Sequence, residues 1–118
     1  MRGAYLTGAD LTDADLTASD LESARMSGAD LTGARLCYTQ LNRADLTGAN
    51  LTGADLTGAN LTGANLTHAN LSEATLTKAN LTHANLTGSD LTGANMFMAI
   101  GTKAKLSGAT MPDGTIHD

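Results

Sequence analysis

Apolar positions along this chain recur every five residues. With leucine taken as the centre of each unit, centres fall at 6, 11, 16 and onward to 116 in unbroken phase, 23 in all. Each of the 18 leucines is a centre; Met26, Met96, Met111 and Ile116 fill four more, and only Gly101 is not apolar. Two residues before the centre stands a small residue: alanine at 19 positions, and Ser19, Thr39, Ser89 or Gly114 at the rest. Between the two sits Asp or Asn in most units, and after the centre comes a pair that is typically Thr-Gly.

A period of five suits neither regular element. On an α-helix five residues turn the chain through about 500°, so the leucines walk around the axis and form no stripe. On a strand five is odd, so they alternate between faces. A short extended piece followed by a corner does fit. Eleven of the 13 glycines occupy the second corner position, where a type II turn needs a positive φ. The pattern predicts an all-β, flat-sided coil with Ala and Leu inside, Asp or Asn outside, and Thr-Gly at each corner. Stacked coils pair their backbones at about 4.8 Å.

The unit A-[DN]-L-x-x, as in Ala54-Asp55-Leu56-Thr57-Gly58, covers essentially all 118 residues. It resembles the pentapeptide repeat family, which is abundant in cyanobacteria. The resemblance implies a right-handed quadrilateral β-helix with four repeats per coil, about six coils in all, and a height of roughly 28 Å at the strand spacing. Residues 1–118 are then one repeat domain, with 96–118 as a C-terminal capping segment. The charges agree with a 20-residue coil. It sets Arg35 between Asp15 and Asp55, and Arg25 against Asp45, as opposite-charge cross-strand pairs. It also stacks Asn50 on Asn70 and Asn60 on Asn80 as amide ladders.

The same arithmetic places the net charge of −5 on one face. The column of Leu11 collects Asp10, Asp13, Asp30, Glu73, Asp90 and Asp113 with no Lys or Arg, for a formal −6, while the other three columns nearly balance. An acidic balance argues against direct nucleic-acid binding, which needs a basic face, and fits a protein partner. The chain has no Trp, one Phe and two Tyr, so its core is thin and repeated, built of Leu and Ala.

The departures from the pattern are few. In Met96–Lys105, Phe97 and Met98 occupy corners, Ile100 replaces an outward Asp or Asn, and Gly101 fills a core slot. This reads either as an apolar contact for a partner or, preferably, as an irregular corner or cap over the last coil. Pro112-Asp113-Gly114 reads as a turn that closes the stack. Cys37 and Tyr38 stand where Thr-Gly is usual, and Tyr38 marks a candidate contact. The first coil has no evident cap, and an unpaired edge there suggests either end-to-end association into a homo-oligomer or a further segment that covers it.

Chemistry finds little support. His68, His83 and His117 fall at corners of different columns, whereas a metal site needs converging ligands. No Ser-His-Asp or Cys-His set can be assembled, and the glycines follow the repeat rather than a phosphate-binding loop. No cofactor or metal is expected. Cys37 is the only cysteine, so there is no disulfide framework. No apolar run approaches a membrane span or a signal peptide, so no membrane partner is expected and a cytoplasmic location is. The expected function is a non-catalytic scaffold or protein-interaction module. The alternative implied by the resemblance is an acidic DNA mimic that inhibits or protects DNA gyrase through the Leu11 column. Rows of Thr raise an ice-binding surface as a third reading, but Gly beside each Thr keeps the rows apart.

Overall fold

The computed structural model describes residues 1–118. Eighteen parallel bridges join residues 20 apart, from Tyr5–Arg25 to Asp90–Thr110. The chain is therefore an all-β, right-handed quadrilateral β-helix with four short sides per coil. Each side contributes a single rung to its sheet, because a corner interrupts it every five residues. The stack measures 34 × 23 × 21 Å, a little longer than the strand spacing alone suggests.

The reason this repeat folds so regularly lies in its backbone accounting, illustrated by the unit Asn50–Ala54. The Asn50 amide donates to Ala29 O in the coil before, and Leu51 donates to Asn70 O in the coil after. Gly53 donates to Ser72 O, and Ala54 closes the corner on Leu51 O at 3.0 Å. The remaining amide, Thr52, donates to Asn50 Oδ1 at 3.1 Å, and the Thr52 hydroxyl donates to the same oxygen at 2.6 Å. All five N–H groups of the unit are thus paired, as buried or tightly packed backbone requires.

The Asp-or-Asn choice follows from this bond. Either side chain offers the Oδ1 acceptor, and Thr two residues on supplies both donors, an Asx-type cap. The cap recurs at Asp10, Asp15, Asp30, Asp45, Asn65, Asn85 and Asp90, among others. Asn85→Ala removes the partner of the Thr87 amide and should cost about 1 kcal/mol, the typical loss for a capping side chain. Asn85→Asp, which keeps the acceptor, should be nearly silent, and urea titration of the two variants reads the difference.

Inside the coil, Ala and Leu stack on their equivalents 20 residues away, and from Leu21 to Leu91 each leucine is at most 1% exposed. Twenty-eight buried residues form one continuous core. Thr39 and Ser89 occupy alanine slots at 0% and 1% exposure. Thr39 donates its hydroxyl to Leu36 O, while Ser89 Oγ has no partner.

The sequence disturbance at Met96–Lys105 is not a disturbance of the backbone. Ala99 closes its corner on Met96 O at 3.0 Å, Met98 has the usual corner φ of 61°, and Ile100 pairs with Asn80. At the C-terminus the chain reverses at Met111–Gly114, with Gly114 N donating to Met111 O at 2.8 Å and Gly114 at φ 86°. Ile116 then pairs antiparallel with Thr110. Ile116 keeps the sequence phase but is 65% exposed, because the reversal takes it out of the coil.

Candidate protein-interaction face

Side chains at the second corner position give the surface its character. At eleven of these corners a non-glycine residue adopts a φ between 57° and 61°, a region that costs an L-residue roughly 1–2 kcal/mol. Among them are Asp13, Tyr38, Glu73 and Met98. Several of these side chains lean over the glycine 20 residues on. The Tyr38 ring lies where a Cβ on Gly58 would stand, with Cδ1 2.6 Å from that point, and Asp13 and Glu73 cover Gly33 and Gly93 in the same way. A large corner residue is therefore accommodated by a glycine in the next coil.

The rungs sort the outside into four faces, of which two carry candidates. The face with rungs Asp10, Asp30, Asn50, Asn70, Asp90 and Thr110 is bordered by the corners that hold Asp13, Glu73 and Asp113. These six acids therefore line one side of the stack, with a neutral stretch at Asn50 and Asn70. Each rung carboxylate is turned onto its own corner: the Thr hydroxyl, and then the Thr amide, hold Asp10, Asp30 and Asp90 below the usual carboxylate range, and Thr115 does the same for Asp113. A carboxyl whose folded pKa is depressed adds stability above its unfolded pKa and loses it as pH falls through the folded value. Unfolding stability should stay level from neutral pH to about pH 5 and decline below about pH 4, which urea titrations across that range would read.

The same turning-in corrects the expected ladders. Arg35 does pair by its backbone with Asp15 and Asp55, and Arg25 with Asp45, but none of these pairs is among the ion pairs. Those are Arg2 with Asp20 (2.9 Å) and Glu22 (3.6 Å), and Arg43 with Glu22 (3.1 Å). Arg25 instead lies 4.8 Å over the Tyr5 ring, a cation–π contact. The Asn side chains likewise spend Oδ1 on their own corners. Coil-to-coil bonds given by Asn side chains are limited to Asn60 Nδ2 to Gln40 Oε1 (3.2 Å) and Asn42 Nδ2 to Glu22 Oε1 (2.9 Å).

The opposite side of the stack has rungs Asp20, Gln40, Asn60, Asn80 and Ile100. One bordering edge carries Tyr38, Lys78, Phe97 and Met98; the other carries Arg43, His83 and Lys103. Beyond Asp20 and Glu22, in the first coil, this face has no acid at all. Tyr38 (60%), Phe97 (67%), Met98 (61%) and Ile100 (49%) account for four of the seven exposed large apolar side chains. Reading the sequence in columns of one repeat separates Tyr38, Phe97 and Met98 from Ile100, Arg43 and Lys103. The fold unites them, because each corner borders two faces.

Cys37 sits on the same edge, half-buried. Burial, and then the Asp55 carboxylate, push its thiol up, the opposite of what a nucleophilic cysteine needs. No three His, Cys, Asp or Glu side chains converge as metal ligands. No helix is long and apolar enough to cross a membrane.

Comparison with known proteins bears on the whole stack. The family model described as pentapeptide repeats matches residues 1–36, 24–63 and 59–96. Among solved structures the chain is similar to HetL, a pentapeptide repeat protein involved in heterocyst differentiation regulation in the cyanobacterium Nostoc sp. strain PCC 7120. The two share 33% identity over 99% of this chain and 76% of that one, with a TM-score of 0.54. A pentapeptide repeat protein of the Arabidopsis thaliana thylakoid lumen shares 31% identity over 96% and 72% of the two chains, with a TM-score of 0.61. One from the cyanobacterium Cyanothece 51142 shares 36% over 97% and 64%, with a TM-score of 0.58. No curated protein matches.

Proposed function

Because the chain belongs to the pentapeptide repeat family, we propose that it is a non-catalytic interaction module that docks a protein partner on the Gln40 face. The observation that carries this reading is the grouping of Tyr38, Phe97, Met98 and Ile100, all exposed, on a side that holds Arg43, Lys78 and Lys103 and no acid beyond the first coil. Exposed aromatic and methionine side chains beside arginine are the composition of a protein contact. The rigid stack supplies a flat platform that needs no ordering on binding.

The experiment is a comparative pull-down from lysate. Protein retained by the wild-type chain should fall at least tenfold on Phe97→Ser with Met98→Ser, and persist when Asp10, Asp30 and Asp90 become Asn. The reverse result would move the site to the acidic face. That face is a poor DNA mimic by count. Duplex DNA carries one charge per about 1.7 Å, hence roughly 20 over the length of this stack, against six acids with a neutral middle. Gyrase supercoiling should proceed unchanged at high micromolar protein, and inhibition would restore the mimic reading.

A further inference from the structure

The edge of the Gln40 face that runs Arg43, Gly63, His83 is indented at Gly63, where the side chain is missing between two basic ones. The indentation is a cavity of about 420 Å³ lined by Asn42, Arg43, Asn60, Thr62, Gly63 and His83. We infer that this notch receives a carboxylate side chain of the partner, so that the occupant of the face is an acidic segment of protein carrying an apolar residue. This deepens the reading above and rests on it.

Three observations favour an anion. First, no carboxylate lines the cavity, and the nearest acid, Glu22, lies one coil away and holds one Arg43 nitrogen at 3.1 Å and Asn42 Nδ2 at 2.9 Å. A guanidinium has five N–H donors, so Arg43 retains most of its own. Second, the amide oxygen of Asn60 is not available to a donor, since Asn60 Oδ1 already takes the Thr62 amide. Third, Thr62 breaks a rule that the rest of the chain keeps. Thirteen Thr or Ser residues give their amide to an Asp or Asn two residues back, and twelve also give that residue their hydroxyl. Thr62 gives only its amide, which leaves a hydroxyl donor at the cavity wall without an acceptor. A guanidinium with spare N–H donors, a free hydroxyl and no lining carboxylate select an anion over a cation.

The apolar requirement comes from distance. Gly63 and the Ile100 rung are two coils apart, about 10 Å at the strand spacing, so a short extended segment reaches both. An exposed arginine alone binds a free carboxylate weakly. Joining the two contacts in one chain makes the second intramolecular and raises affinity.

The test is a titration of ¹⁵N-labelled protein with a glutamate-rich peptide carrying one leucine, with its glutamine counterpart and with sodium acetate. The acidic peptide should shift the Arg43 Nε–H, Asn42 and His83 signals and bind at least tenfold more tightly than either control. Arg43→Gln should weaken it at least tenfold, and Glu22→Gln, which removes the competing carboxylate charge beside the guanidinium, should tighten it severalfold. Equal binding of acetate, equal binding of the glutamine peptide, or indifference to Arg43→Gln would overturn the assignment. The two readings fail separately. A lysate partner lost with Phe97→Ser and Met98→Ser but kept with Arg43→Gln sinks the notch and leaves the face; a partner indifferent to both sets sinks the face as well.

Discussion

Leu61→Arg should abolish folding. Leu61 is fully buried, between Leu41 and Leu81 of its own column, and the coil interior is filled by Leu and Ala with no counter-charge to receive a guanidinium. Burying an unpaired charge costs several kcal/mol, and the lost leucine packing adds about 3–5 kcal/mol on the scale of core truncations. A domain of this size has about 5–15 kcal/mol in total, so the variant should lack the far-UV signature of the β-helix at 25 °C. The neighbouring Asn60→Asp is the control. Its oxygen still accepts from the Thr62 amide, and Gln40 can turn its own amide nitrogen to the new carboxylate. A shift under about 0.5 kcal/mol is expected, as for most surface changes. Comparable losses from both substitutions would contradict the inward and outward assignment.

The second large effect concerns corners. Gly53→Ala and Gly58→Ala impose the same backbone penalty, since both glycines sit near φ 66°, and that penalty is about 1 kcal/mol. They differ in surroundings. A Cβ on Gly53 meets nothing within 4 Å, whereas one on Gly58 collides with the Tyr38 ring. Gly58→Ala should therefore cost about 2 kcal/mol in all, the excess being the displaced ring. In a Tyr38→Gly background the two alanine variants should become equal. The coupling of about 1 kcal/mol between positions 38 and 58, measured by a double-mutant cycle, reads the coil-to-coil contact directly. A coupling near zero would mean that the ring does not rest on Gly58 in solution.

Much of the architecture was legible because the repeat is its own alignment. Alanine and leucine two apart, with a glycine-prone corner three residues on, admit one way of pointing both inward, and the 20-residue coil predicted from family resemblance is the register of the rungs. What stayed illegible was side-chain direction. Asp15, Arg35 and Asp55 read as a charge ladder because spacing says who is adjacent and not where a carboxylate turns. A threonine two residues away fixes one carboxylate oxygen on its own corner, since it offers an amide and a hydroxyl at fixed geometry with little entropy to lose, and Arg35 forms no ion pair with either carboxylate. The candidate face was hidden for a different reason. Cutting the chain into repeats assigns each corner to one side, while in space it edges two. Tyr38, Met98 and Ile100 share a side only once that is allowed for. Ile116 misled in the opposite sense, keeping perfect phase beyond the reversal at Pro112–Gly114.

The pairing of most amides within or between adjacent coils makes the stack indifferent to how many repeats lie between two points, but its faces are not indifferent. Removing 20 residues from the middle would shorten the rod and leave each column intact. Removing five, for instance Asn50–Ala54, would keep every rung and corner bond available, yet turn everything beyond by about a quarter of a revolution. Met98 and Ile100 would then no longer share a side with Tyr38 and Arg43. For such a molecule the conserved quantity is angular: a change in length that is harmless to folding can misalign recognition, and only whole revolutions are free.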